Sequence, residues 1–275
     1  MQKKLIAAAV AGALVAPQVL ADVSVSGSIR NGVAYNASSW GIIGAVSRLR
    51  FKASSDLGNG QSVYMNYEFS VDSGNGNIGT DKKTQRLTYV GMKGDWGSLS
   101  LGAQWSTAFN TVGTFIDKSL AYGGYGAGCV QYRMANSAML STQLGGLSLM
   151  ADAQMDPATA DSLDRATVGG LFALGGVSLG AMYQSADDDC MGVAASMDVG
   201  GIGLAGGFVD SDANGSSFGV NGSIGGLTVM FDSDDNGDEI VGNYTMGLGG
   251  GARMILEVES NDAGENGGLF LRYDF

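Results

Sequence analysis

The chain has 275 residues, with 46 glycines, 2 prolines, no histidine and a formal net charge of −12. The missing histidine excludes imidazole bases and His-ligated metals, and the acidic balance argues against a nucleic-acid partner. After residue 21 no apolar run reaches the ~20 residues a membrane-spanning helix needs, which excludes a helical membrane protein.

The N-terminus reads as a secretory leader: Lys3 and Lys4, an apolar stretch Leu5–Val15, and Val19-Leu20-Ala21 as a cleavage site. Residues 1–21 are therefore expected to be a signal peptide, and residues 22–275 one domain. Next, SRLRFKAS (47–54) sets Arg48, Arg50 and Lys52 against Leu49, Phe51 and Ala53. On a strand, successive side chains point to opposite faces, so one face is cationic and the other apolar. Val63, Met65, Tyr67, Phe69 and Val71 then share a face opposite Asn66, Glu68, Ser70 and Asp72. The same rhythm returns in Leu147–Met155 and Val177–Tyr183. Each run is about 8–12 residues, which suits a tilted membrane-spanning strand.

Glycine pairs punctuate these runs: LGGLSL, LGGVSL, VGGIGL, IGGLTV and LGGGAR, with LGNG and GDWG upstream. Glycine supplies the positive φ of tight hairpins. Between them lie more polar segments such as DPATADSLD and DSDDNGD. Seven tight turns strictly alternating with eight longer connections predict sixteen antiparallel strands, with every tight turn at one end. A soluble sandwich and a transmembrane barrel both accept such strands. The two-ended asymmetry favours the barrel. So do tryptophans at strand ends, Trp40 and Trp105 beside long connections and Trp96 in a tight turn, and the alternating C-terminus GLFLRYDF.

That C-terminus resembles the assembly signal of Gram-negative outer-membrane barrels. SRLRFKASSDLGNGQSVYMNYEFSVDSG resembles the second and third strands of the Gram-negative general porin family. QRLTYVGMKGDWGSLSLGAQWS resembles the fourth and fifth, with the family's Y-V-G-hydrophobic-K-G-x-aromatic-G element, and YRMANSAMLSTQLGGLSL the strand after the constriction loop. The resemblance implies an all-β, sixteen-stranded antiparallel barrel in the outer membrane, with short periplasmic turns, a long third loop folded into the lumen, and usually a homotrimer. It implies passive diffusion of small hydrophilic solutes and ions, no enzymatic activity, no cofactor, and contact with outer-membrane lipid. A solute-specific channel and a closed structural or adhesive barrel are the alternatives. An enzyme barrel is disfavoured, because those known rely on histidine. A sugar channel needs a lumenal aromatic track, yet Tyr67, Phe69, Tyr89, Trp105, Tyr183 and Phe208 are expected on the lipid face.

The longest connection, Ser106–Tyr132, is the expected constriction loop, with Phe109, Phe115, Asp117, Lys118, Tyr122 and Tyr125 as its chemistry-bearing residues. Asp117 is its only carboxylate, where the family usually carries an acidic cluster. Arg48, Arg50, Lys52, Arg86 and Arg133 are expected on the pore wall, with Glu68 as a pairing carboxylate. The usual arginine of the family's l-G-R-q element is Ala103 here. Basic rings attract anions, while an acidic mouth (Asp187–Asp189, Asp210, Asp212, Asp232, Asp234, Asp235, Asp238) would enrich cations. Asp210-x-Asp212-x-Asn214-Gly215 and Asp232-x-Asp234-x-Asn236-Gly237 match half of a calcium loop without its terminal glutamate, so weak divalent binding and plain acidic turns both stand. Cys129 and Cys190 leave a disulfide and two free thiols open.

Overall fold

A computed structural model describes residues 22–78, 85–122, 129–158, 163–213, 215–235 and 237–275. The expected leader lies outside them, as do Tyr125, Asn214 and Asn236. The chain order is β1 (Asp22–Asn36), β2 (Ser39–Gly44), β3 (Ser47–Gly58), β4 (Gln61–Asp72), β5 (Asn77–Ile78), β6 (Gln85–Gly94), β7 (Gly97–Trp105) and β8 (Arg133–Leu144). It continues with β9 (Leu147–Gln154), β10 (Arg165–Leu174), β11 (Val177–Ser185), β12 (Cys190–Val199) and β13 (Ile202–Ser211). The last are β14 (Gly215–Ile224), β15 (Leu227–Asp234), β16 (Gly237–Gly249), β17 (Ala252–Asn261) and β18 (Gly264–Asp274).

All pair antiparallel in one sheet, and β1 closes it onto β18 from Ser28↔Asp274 to Asn36↔Asn266. Segments β2 and β3 both pair with β1 and form one stave broken at Ala45–Val46. The two-residue β5 only extends the edge of β4. The eighteen segments thus make the sixteen staves of a closed barrel.

Alternation sets the two surfaces. On β11, Val177, Leu179 and Tyr183 are exposed outward, whereas Met182 and Gln184 are 5% and 2% exposed on the inside. The outer surface carries Val168, Val193, Leu204, Val220, Val229, Leu256 and Leu269 in the same manner. A band this apolar cannot face water over so many strands without driving association. No described helix is long and apolar enough to cross a membrane.

The tight turns follow their chemistry. Asn59-Gly60 and Gly175-Gly176 hold φ values of 53° and 72°, and of 59° and 87°. Both central residues are left-handed, as a type I′ hairpin requires. The opposite end departs from expectation. Long connections there are confined to 73–84, 106–132 and 155–164, while Ala37-Ser38 and Asp262-Ala263 are two-residue turns. Polar composition had suggested longer loops, but Asp and Asn also favour tight turns.

Of the four register irregularities among the described strands, two lie near the inner loop and the basic wall. Between Glu68↔Leu87 and Phe69↔Gln85 the extra residue is Arg86. A second irregularity between Gly102 and Gln104 accompanies Asn136 at φ 50°. The buried core lies where the long connection meets the inner wall. Phe109, Val112, Phe115 and Ile116 pack there against Met182, Ala194 and Val209.

Candidate functional site: the inner loop and the charged wall

The connection after β7 starts with a side-chain cap. The Ser106 hydroxyl accepts the Phe109 N–H at 2.9 Å, ahead of a π-helical turn Phe109–Gly113 and a short α-turn Thr114–Ile116. Thr111 donates to the Thr107 carbonyl at 2.7 Å. These turns seat on a wall paved with glycine. A methyl at Gly180 would overlap the Thr111 carbonyl oxygen, and one at Gly207 would come within 2.6 Å of Ile116 Cδ1. Gly219 gives the same clearance under Ile116.

Wall side chains then hold the loop backbone along its course. Asp152 of β9 accepts the Thr107 N–H. Asn221 of β14 donates to the Phe115 carbonyl at 2.7 Å, and Asn243 of β16 to that of Lys118 at 3.1 Å. Glu257 of β17 takes the N–H groups of Leu120, Ala121 and Tyr122 at 2.5–2.7 Å. Arg30 of β1 donates to the Leu120 carbonyl. Tyr122 reaches the Gly267 carbonyl at 3.2 Å. Cys129 and Cys190 are joined in a disulfide that ties the loop's return to β12. The loop therefore runs around the inside from β9 to β18 and β1.

The basic residues gather on the other side, on β3, β6 and β8. Glu68, 1% exposed, is shared by two of them. Arg50 Nε donates to its Oε2 at 2.9 Å and Arg86 Nε to its Oε1 at 2.8 Å. Arg86 reaches Glu68 only because the bulge turns it inward; strict alternation with Leu87 would point it out. Arg133 stands 5.3 Å from the Trp105 ring and Arg86 6.0 Å from it. Lys52 is exposed on the same strand as Arg48 and Arg50.

Trp105 and Tyr89 correct the expectation that they face lipid. Trp105 stacks on Phe109 of the inner loop, centroids 4.4 Å apart and 19° between planes. Tyr89 is directly opposite Asn66, in the row that includes Tyr64↔Gly91 and Glu68↔Leu87, and so faces the interior. Its ring meets Tyr64 at 6.3 Å. Tyr183 and Phe208 do point outward.

Asp117 feels Arg48 and Arg133 through space, so the loop brings a carboxylate into the field of the basic wall. Burial pushes the Asp117 carboxyl above its ordinary range, against the pull of Lys118. Burial pushes the Lys118 ammonium down, opposed by Asp117. Lys118 Nζ also donates to the Thr114 carbonyl at 2.6 Å. Such opposed charges can orient a dipolar solute and bias ion passage.

Outside the loop, Asp210 accepts the Ser216 hydroxyl at 2.6 Å and Asp189 the Tyr183 hydroxyl at 2.6 Å. Asp210 belongs to β13, and Asp232 and Asp234 to β15. Asp232 is only 2% exposed and lies beneath the inner loop between Gly219 and Ile116, not at the mouth. The described residues contain no group of three or more His, Cys, Asp or Glu placed to hold a metal.

The sequence reading missed Arg30, Asp152 and Glu257, which anchor the loop. It also missed a tier of Arg253, Arg272 and Arg30 set directly opposite one another on β17, β18 and β1. The first two share Asp274, at 2.6 and 2.7 Å. Lumenal parity on those strands is the signal that would have found them.

A family model described as Gram-negative porin matches residues 5–267. Solved barrels superpose over nearly the whole chain. A loop-deletion mutant of OmpT, an outer membrane protein of Vibrio cholerae, is 15% identical, with 93% of this chain and 99% of that one covered and a TM-score of 0.75. A mutant Rh. blastica porin is 18% identical, covers 92% and 100%, and scores 0.73. Salmonella typhi OmpF in complex with daunomycin is 12% identical, covers 92% and 97%, and scores 0.71. A search of curated proteins returns no match.

Proposed function

The chain belongs to the Gram-negative porin family and forms a diffusion channel in the outer membrane, and from that premise we propose that its ion and solute preference is set where Asp117 on the inner loop meets Arg48 and Arg133 on the wall. The observation that carries this is the placement of the loop. It is held along β9–β17 by Asp152, Asn221, Asn243 and Glu257, and the arginines of β3 and β8 act through space on its one carboxylate.

Glu68 compensates only part of the basic wall, since it serves both Arg50 and Arg86. The inner level thus attracts small anions, while the exposed acids at the mouth gather cations. The family and fold are those of a non-enzymatic channel. One of the similar structures is a trimer form of Vibrio cholerae OmpT, which supports a homotrimer here. Its passengers on this reading are small hydrophilic solutes and ions.

Single-channel recording in a planar bilayer tests the reading. Wild type should open in steps, with a reversal potential in a salt gradient that shifts toward cations in Arg48→Ser and Arg133→Ser variants. Unchanged selectivity in both would refute the assignment. A solute-selective channel is the second reading, favoured by the lumenal Tyr64–Tyr89 pair. Sugar-dependent block of the current, lost in Tyr89→Ala, would establish it.

A further inference from the structure

Beneath the root of the inner loop, a row of polar side chains is buried without enough partners. Asp152 of β9 is 5% exposed. One of its carboxylate oxygens accepts the Thr107 N–H; the other, Oδ1, has no hydrogen-bond partner. The ion pairs among the described residues, which join Glu68 or Asp274 to arginines, do not include it.

Its neighbours share the condition. Thr167 of β10 is directly opposite Asp152, and Gln184 of β11 is directly opposite Thr167. Directly opposed residues in an antiparallel pair project from the same face of the sheet, here the lumenal one. Thr167 is 0% and Gln184 2% exposed, and Thr167 Oγ1 and Gln184 Oε1 both lack partners. Thr107 closes the group from the loop side. It is 0% exposed, its Oγ1 lacks a partner, and its methyl lies against β10 at Gly169. Four buried oxygens with one formal negative charge therefore lie along one lumenal row of three adjacent strands and the loop residue beside it. Native structures rarely leave even one such atom unsatisfied.

We propose that Asp152 Oδ1, Thr167 Oγ1, Gln184 Oε1 and Thr107 Oγ1 form a binding site for a hard cation of the calcium type, which fastens the root of the inner loop to the barrel wall. The donor set is all oxygen, with neither nitrogen nor sulfur. One carboxylate supplemented by hydroxyl and amide oxygens is chemistry that calcium accepts in flexible geometry, whereas magnesium demands a stricter octahedron. A water molecule could satisfy the hydroxyls, but it would leave the buried carboxylate charge uncompensated. Because Thr107 leads into the turn that carries Phe109 and Phe115, occupation of the site couples divalent cations to the seating of the constriction. This holds whatever solute the channel passes.

Calorimetric titration of calcium chloride into the chelator-treated, folded full chain in detergent tests the site. Four proteins are compared: wild type, Asp152→Asn, Thr167→Val, and a double Asp210→Asn/Asp212→Asn variant that strips acids from the external end of β13 and the turn after it. One saturable site is expected in wild type and in the external variant, with none in Asp152→Asn. Thr167→Val keeps the Thr107–Asp152 hydrogen bond and guards against a folding artefact; its affinity should fall at least about tenfold. Calcium should raise the denaturation temperature of wild type but not of Asp152→Asn. The proposal is overturned by absence of heat in wild type, by binding that survives Asp152→Asn or is lost in the external variant, or by unchanged affinity in Thr167→Val.

Discussion

The Glu257 carboxylate on β17 accepts the backbone N–H of Leu120 at 2.7 Å, across 137 residues of sequence. Two more N–H groups, of Ala121 and Tyr122, converge on its other oxygen at 2.5 Å. A wall residue thereby performs for the loop what a cap performs for a helix: it gathers orphan backbone donors onto one anion.

Glu257→Gln should release this end of the loop while the barrel still folds. The amide offers one acceptor, and its NH2 opposes the incoming N–H groups. The charge-assisted bonds lost are worth about 2 kcal/mol each. Single-channel traces should show more frequent substates and excess current noise. Traces as quiet as wild type would show that the loop is held elsewhere.

Gly180→Val should displace the helical turns from their seat. The new side chain would collide with the Thr111 carbonyl, and backbone cannot swing aside as a flexible side chain can. The outer face of β11 is untouched, so heat-modifiable migration on gels should persist while conductance changes. Gly247→Ala, on β16 with open space around it and no left-handed backbone, should leave conductance as it is. Equal conductance in Gly180→Val and wild type would contradict the docking.

Glu68→Gln should expose the full charge of Arg50 and Arg86 and shift the reversal potential toward anions. Breaking a buried pair by removing one partner costs about 3–5 kcal/mol; the low end is expected, because the Arg50 side chain retains 29% exposure. In wild type, raising the salt should itself move selectivity toward anions. The screening length falls from about 8 Å at physiological salt to about 3 Å at 1 M. Screening weakens the exposed mouth acids more than the half-buried wall arginines. Selectivity that drifts toward cations with added salt would reverse the assignment.

Asp117 gives the pH dependence its sign. Burial raises its carboxyl above the ordinary range, so it takes up a proton at higher pH than an exposed carboxylate would. Protonation removes the loop's negative charge and leaves Arg48 and Arg133 unopposed. The anion preference should therefore rise as pH falls through that raised value. Asp117→Asn should stay at the acidic-side preference throughout. The same step in the variant would assign it to another group.

Much of this was legible along the chain. The side-chain period of a strand is two, so SRLRFKAS by itself places Arg48 and Arg50 opposite Leu49 and Phe51. The glycine pairs mark the hairpins, because both central positions need left-handed backbone. Only the folded barrel decided the rest. A bulge inserts one residue and resets the parity without a mark in the sequence, which is why Arg86 and Tyr89 both face inward. Trp105 faces inward because Phe109 offers it a stacking partner. The anchors Asp152, Glu257 and Arg30 show no local signal either. Their partners are backbone groups of a distant loop, and a backbone N–H is alike in every residue except proline. Which carboxylate meets it is settled by closure of the barrel, which brings β17, β18 and β1 side by side.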